Sequence, residues 1–275
     1  MTELKGKRVL ITGGSSGIGR ALALEFAKRG AVLAIVSRRL EKLVEAGRDI
    51  RLAYPDGAPP LAIPCDVTDG ESVGRLIKSC VDRWGGLDIL VNNAGIGVYG
   101  DADRTSLEDF RAIMEVNYFG ALQSTMNVLP FMRKAGQGLI VNITSIAAKH
   151  GVPYLAAYSA SKAALAALSQ SLRAELAQSG ISLMIVYPGY TETDFFTTEK
   201  KVGGAVRPSK PYAPPEKVAR AILKAIEREK HNVVLSPEGR ALALFEKIFP
   251  RLVEAAMRRI AVKLRDPKEA VYEKT

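Results

Sequence analysis

The feature that most constrains the fold is an alternation of two patterns. Short runs rich in Val, Ile and Leu recur at 8–12 (RVLIT), 31–37 (AVLAIVS), 61–65 (LAIPC), 87–93 (LDILVNN), 138–145 (GLIVNITS) and 182–188 (SLMIVYP). Helix-patterned stretches lie between them, at about 17–29, 39–50, 69–84, 106–134 and 154–179. Runs that are apolar at nearly every position indicate strands buried on both faces, and strand–helix alternation implies parallel pairing through right-handed crossovers. The expected fold is α/β, a doubly wound parallel sheet flanked by helices. A helix from 215 to 230 and a short run, NVVLS at 232–236, bring the sheet to about seven strands.

After Pro188 the pattern changes. The segment at about 190–213 is polar, basic and rich in Gly and Pro, and reads as a long substrate loop or lid inside a single catalytic domain spanning 1–238. Residues 239–275 form a basic amphipathic helical extension broken near Pro250, with seven Lys/Arg against two Asp/Glu between Arg240 and Arg265. It is far too charged to span a bilayer. Its apolar face packs on the domain or a second subunit in one reading, and lies on a membrane surface in the other.

A formal net charge of +10 favours anionic partners, among them nucleotide phosphates, acidic carrier proteins and anionic lipid. No nucleic-acid-binding motif is visible, so nucleic acid is not expected as a partner. Cys65 and Cys80 lack metal-ligand spacing and read as core thiols, and with two histidines no metal site is expected. The chain opens on MTELKGKRVLITGG without the apolar core of a signal peptide, which predicts a cytoplasmic protein, with peripheral membrane contact as an option.

The first strand runs into TGGSSGIG at 12–19, where a helix begins. In this strand–turn–helix setting Gly13 permits a tight turn, Gly17 lets backbone approach a pyrophosphate and Gly19 lets helix and sheet pack closely. The helix N-terminus then supplies N–H groups and positive potential for phosphate, as in Rossmann-type dinucleotide sites. Where an acid would bind the ribose diol of NAD, the second strand ends in Ser37, Arg38 and Arg39. Arginine there offers charge-assisted bonds to a 2′-phosphate, so NADP(H) is the expected cofactor, with Arg39 the less engaged of the pair. Asp66 can accept from an adenine amino group or close a turn, and Asp69 reads as a helix cap. In NNAG, at 92–95, Asn92 reads as support, while Asn93 can also contact the ribose.

Tyr158 and Lys162 in YSASK are four residues apart on a helix-patterned run and therefore share a face. Taken alone such a pair is an ordinary surface feature. Together, TGGSSGIG, NNAG, Asn117, Ser145, YSASK and PGYTET stand in the order and spacing of the short-chain dehydrogenase/reductases, and over roughly residues 6–195 the chain resembles that family. The resemblance implies that Tyr158 is the general acid/base, that Lys162 binds the nicotinamide ribose and lowers the tyrosine pKa, that Ser145 positions the substrate oxygen and that Asn117 holds a relay water. The cofactor set it implies comprises Gly13, Ser15, Ser16, Gly17, Ile18, Gly19, Ser37, Arg38, Arg39, Asp66, Val67, Asn93, Ala94, Gly95, Tyr158, Lys162, Pro188, Gly189, Thr191 and Thr193. Holding a phenol about three pH units below its ordinary value takes roughly 4 kcal/mol of differential stabilisation, which Lys162 and a nicotinamide cation would have to supply. Val152, Tyr154, Phe195 and Phe196 are expected to edge the substrate pocket, and His150 to be an exposed loop residue.

The expected function is hydride transfer between NADP(H) and a carbonyl/alcohol pair. The basic amphipathic end and apolar lid point to a hydrophobic ketone, such as a 3-ketosphinganine-like lipid or a steroid; the net charge also suits a 3-oxoacyl thioester. A non-catalytic NADPH sensor is a third reading, and such proteins typically lack the tyrosine or lysine present here. The family resemblance implies a homodimer or homotetramer.

Overall fold

The computed structural model describes residues 3–193, 200–206 and 212–265. A seven-stranded sheet is formed by β1 (Arg8–Thr12), β2 (Val32–Ser37), β3 (Leu61–Pro64), β4 (Ile89–Asn92), β6 (Gly138–Ile143), β7 (Ile181–Tyr187) and β9 (Asn232–Val234). Its order is β3-β2-β1-β4-β6-β7-β9, and every pair is parallel. Successive side chains of a strand point to opposite faces, so each strand feeds two cores. Val9 and Ile11 of β1 pack with Leu22 and Phe26 of helix α1 (Gly17–Ala27), Leu43 of α2 (Leu40–Ala53) and Ile222 of α7 (Pro215–Glu227). Leu10 faces the other way, toward Ile77 and Cys80 of α3 (Gly70–Trp84), Met132 of α5 (Gly120–Ala135) and Ala166 of α6 (Ala156–Glu175). Each fully buried Leu or Ile in these layers contributes about 2 kcal/mol relative to exposure.

Because all seven strands are parallel, their carboxyl ends share one edge. The order reverses between β1 and β4, and open α/β sheets bind ligands in the crevice at such a reversal. Strand positions match expectation to within two residues, with two departures elsewhere.

The stretch at 106–134 is not one helix. It comprises α4 (Leu107–Met114), a π-helical turn (Glu115–Phe119) and α5. The segment after β7 is not structureless either: β8 (Lys200–Val202) pairs in parallel with β5 (Val98–Gly100), and Lys200 Nζ donates to both carboxylate oxygens of Asp109 at 3.0 and 2.8 Å.

Helices α8 (Pro237–Ile248) and α9 (Pro250–Leu264) follow β9, so the division expected after residue 238 falls inside α8. Ser236 caps α8 by accepting from Gly239 N at 3.0 Å. Val253 is buried, whereas Leu244, Phe245, Ile248, Phe249 and Leu252 are exposed. Among the described residues no helix is long and apolar enough to cross a membrane.

Candidate active site

A cavity of about 390 Å³ opens along the carboxyl edge of the sheet. At one end lies the turn after β1. Gly13 and Gly17 have φ of +65° and +52°, values that side-chain-bearing residues rarely adopt. A Cβ on Gly13 would come within 2.9 Å of Ala94 Cα, and one on Gly19 within 2.2 Å of Gly13 O. Ser16 is the N-cap of α1 but makes no side-chain cap bond, and the first turn of α1 carries no acid. Its first N–H groups therefore face the cavity with a positive helix end behind them, which suits a phosphate. The cradle fits a dinucleotide pyrophosphate.

The neighbouring loops hold this turn in place. Asn93 Nδ2 donates to Thr12 O and Gly13 O at 3.0 and 3.1 Å, and Thr12 Oγ1 accepts from the N–H groups of Asn93 and Ala94. Ser37 Oγ accepts from Arg39 N at 3.2 Å and so shapes the entry to α2. Arg38, 60% exposed on its side chain, reaches to 3.8 Å from Asp66 Oδ2, while Asp66 Oδ1 accepts from Thr68 N and Oγ1. Asp69 caps α3 by accepting from Glu71 N and Ser72 N, as its position predicts.

The other end of the cavity holds the groups that can move a proton. Ser145 follows β6 and Tyr158 stands near the start of α6; their side chains are hydrogen-bonded. Loss of water around the phenol pushes Tyr158 up to about 12, a rise the Ser145 bond only partly offsets. Burial pushes the Lys162 ammonium down to about 8. Its Nζ donates to Ile143 O at 3.0 Å and lies 5.8 Å from the centre of the Tyr158 ring. Lys162 bonds main chain rather than the phenol, and the rise at Tyr158 comes from its loss of water.

Asn117 is fully buried in the π-helical turn. Its Oδ1 accepts from Ile96 N at 2.8 Å, and its Nδ2 donates to Ile96 O at 3.0 Å and to Ser161 Oγ at 2.9 Å. Ser161 in turn donates to Tyr158 O at 2.8 Å, so Asn117 braces the loop after β4 against the helix of Tyr158.

Of the residues expected around the site, Ser15, Ser16, Ile18, Ser37, Arg38, Arg39, Asp66, Val67, Asn93, Ala94, Gly95, Ser145, Tyr158, Lys162, Pro188, Gly189, Thr191 and Thr193 line the cavity together with Gly13 and Gly17. Gly19 and Asn117 stand behind its wall. Val152 lines it as expected, and Phe195 and Phe196 lie outside the described residues.

Two expectations are corrected. Tyr154 does not edge the cavity; with φ at +65° it turns away and donates from its hydroxyl to Ala261 O of α9 at 2.9 Å. His150 is not exposed: its Nδ1 lies 2.9 Å from Glu246 Oε2 of α8.

Apolar lining at Ile96, Val116, Ile146, Leu155 and Tyr190, and the Cys65 thiol, went unrecognised in the sequence. Cys65 immediately precedes Asp66 at the strand's carboxyl end, which is the signal that could have placed it here. Burial and the Asp66 carboxylate push its thiol up.

Comparison with known proteins gives the same picture. The chain is 38% identical over 270 residues to a dehydrogenase/reductase SDR family protein 7-like of Anopheles gambiae, covering 95% of this chain and 85% of that one. It is 35% identical over 236 residues to the ketoacyl reductase HetN of Nostoc sp., covering 86% and 80%. A 3-dehydrosphinganine reductase of Danio rerio is 33% identical over 247 residues, covering 88% and 74%. The crystal structure of a short chain dehydrogenase from Burkholderia cenocepacia in complex with NADP superposes with a TM-score of 0.78 at 27% identity, covering 93% and 99%. The sequence model of the short chain dehydrogenases matches residues 7–202. With its sheet order, its glycine turn and its Ser145–Tyr158–Lys162 cluster, the chain belongs to the short-chain dehydrogenase family.

Proposed function

We propose that the protein is an NADP(H)-dependent reductase of a hydrophobic ketone. The observation that carries this reading is the convergence, in one cavity, of the phosphate cradle at Gly13–Gly17 with the hydrogen-bonded Ser145–Tyr158 pair. When bound, the nicotinamide supplies or takes up a hydride. The residues of the chain do the rest. Ser145 and Tyr158 hold the substrate oxygen between two hydroxyls. With its pKa pushed up to about 12, Tyr158 keeps its proton at neutral pH and is set to donate it to the alkoxide that forms as a carbonyl is reduced. Lys162 presents an ammonium beneath the site, and the π-helical turn at Asn117 fixes both ends of this arrangement. Arg38, exposed just after β2, offers a fork of donors to a 2′-phosphate.

The cavity wall supports a hydrophobic substrate. Ile96, Val116, Ile146, Val152 and Leu155 present apolar surface on the cavity side, which suits a long-chain keto-lipid, and the relative from Danio rerio reduces a 3-dehydrosphinganine by its name. A second reading, reduction of a 3-oxoacyl thioester, draws on the net charge of +10 and on the similarity to a ketoacyl reductase.

NADPH oxidation measured against long-chain ketones, 3-oxoacyl thioesters and short ketones distinguishes the two. Tyr158→Phe is expected to lower turnover about a thousandfold while NADPH still binds. Binding of NADPH by both proteins with no turnover of any carbonyl would instead point to a sensor.

A further inference from the structure

Five of the apolar residues that the domain leaves uncovered on the C-terminal helices follow one another as a strip from α8 into α9, with Ile260 and Val262 exposed further along α9. Leu244, Phe245 and Ile248 lie on one side of α8 and are 57%, 49% and 57% exposed; Phe249 and Leu252 continue the strip through the turn into α9. The Phe245 and Phe249 rings are 6.1 Å apart. Exposed basic residues flank it: Arg240, Lys247, Arg251, Arg258, Arg259 and Lys263. Of the three acids in α8 and α9, Glu246 faces His150 at 2.9 Å and Glu254 pairs with Arg258 at 2.8 Å, while Glu238 lies in the first turn of α8.

We propose that this strip is a docking surface for an anionic lipid bilayer. Apolar side chains ringed by Lys and Arg insert at the headgroup boundary while the cations stay among the phosphates. A second copy of the chain is a poorer occupant. A two-fold interface sets the same patch against itself, so Lys247 and Arg251 would face a surface on which six basic residues outnumber three acids.

The helix that carries the surface packs on the cavity loop with its other side. A Cβ on Gly239 of α8 would meet Ile146, a cavity-lining residue, at 3.0 Å, and Glu246 packs against His150 in the same loop. At the far end of α9, Leu264 O accepts from Val206 N, which follows β8, at 2.7 Å. Docking therefore places the two helices that border the site at the bilayer. This proposal stands on the surface itself and does not depend on which ketone is reduced.

Co-sedimentation of the full chain with vesicles of phosphatidylcholine, with and without phosphatidylglycerol, tests it. The wild type is expected to sediment with the anionic vesicles alone and to be released by high salt. Arg251→Ser with Arg259→Ser should lower partitioning about thirtyfold, and Leu244→Gln with Phe249→Gln at least tenfold. Melting curves of both double variants that match the wild type show the fold to be intact. The proposal is overturned if the wild type stays in the supernatant with anionic vesicles, or if the apolar variant sediments as the wild type does. It is also overturned if that variant only converts a dimer to a monomer in sedimentation equilibrium and leaves vesicle binding unchanged.

Discussion

Tyr158 and Lys162 show what four residues of spacing can and cannot tell. The i,i+4 relation put both on one face of a helix, and that was legible. The direction of their pKa values was not, because it depends on how deeply the fold sets each group and on which carbonyl the ammonium finds. A charged Lys162 is costly to bury, so Lys162→Met is expected to lose activity yet gain stability near neutral pH, by up to about 3 kcal/mol if nothing replaces the bond to Ile143 O. The folded pKa lies below the unfolded one, so the wild-type penalty is complete below about 8 and fades as the pH rises toward 10.5. Urea unfolding of both proteins across that range should show the gap closing. Arg38 was legible as a departure from the acid expected at the end of β2. Arg38→Ala is expected to weaken NADPH binding about tenfold or more and leave NADH binding unchanged, measured by fluorescence titration.

Among the elements, the sequence showed helices α1, α3 and α6 clearly because each is long and keeps its period. The π-helical turn was hidden inside the apparent 106–134 helix, since a one-residue change in hydrogen-bond register barely disturbs apolar spacing. Its only mark was a polar Asn117 at a buried position. Asn142 left the same kind of mark and was missed. It sits in the middle of β6, 1% exposed, accepting from Asn92 Nδ2 at 2.8 Å and donating to Ser169 Oγ at 2.8 Å. This ladder ties β4, β6 and α6 together beneath Tyr158 and Lys162. Asn142→Val removes two buried hydrogen bonds, though Asn92 Nδ2 keeps Ala121 O and Thr125 Oγ1 and Ser169 Oγ keeps Leu165 O; it is expected to cost about 2 kcal/mol, read as a lower denaturant midpoint at unchanged slope.

For the molecule as a whole, the large sheet was legible because every central strand is apolar on both faces. The β5–β8 ribbon was not: each of its strands has three residues, they lie about a hundred positions apart, and one is the basic stretch Lys200–Val202. The attachment of α9 was equally invisible, for Tyr154 looked like a pocket residue beside Tyr158. Tyr154→Phe removes the donor to Ala261 O and is expected to raise hydrogen exchange along the last turns of α9. Global stability should fall by no more than about 1.5 kcal/mol, because the freed carbonyl lies near a helix end.

The bond from the Tyr154 hydroxyl to Ala261 also bears on how the chain can evolve. It joins the tail to the loop just ahead of the helix that carries Tyr158, across a separation of 107 positions. The two regions cannot diverge independently. A chimaera that takes its tail from a relative should keep a well-formed site only if the graft presents a carbonyl where Ala261 does.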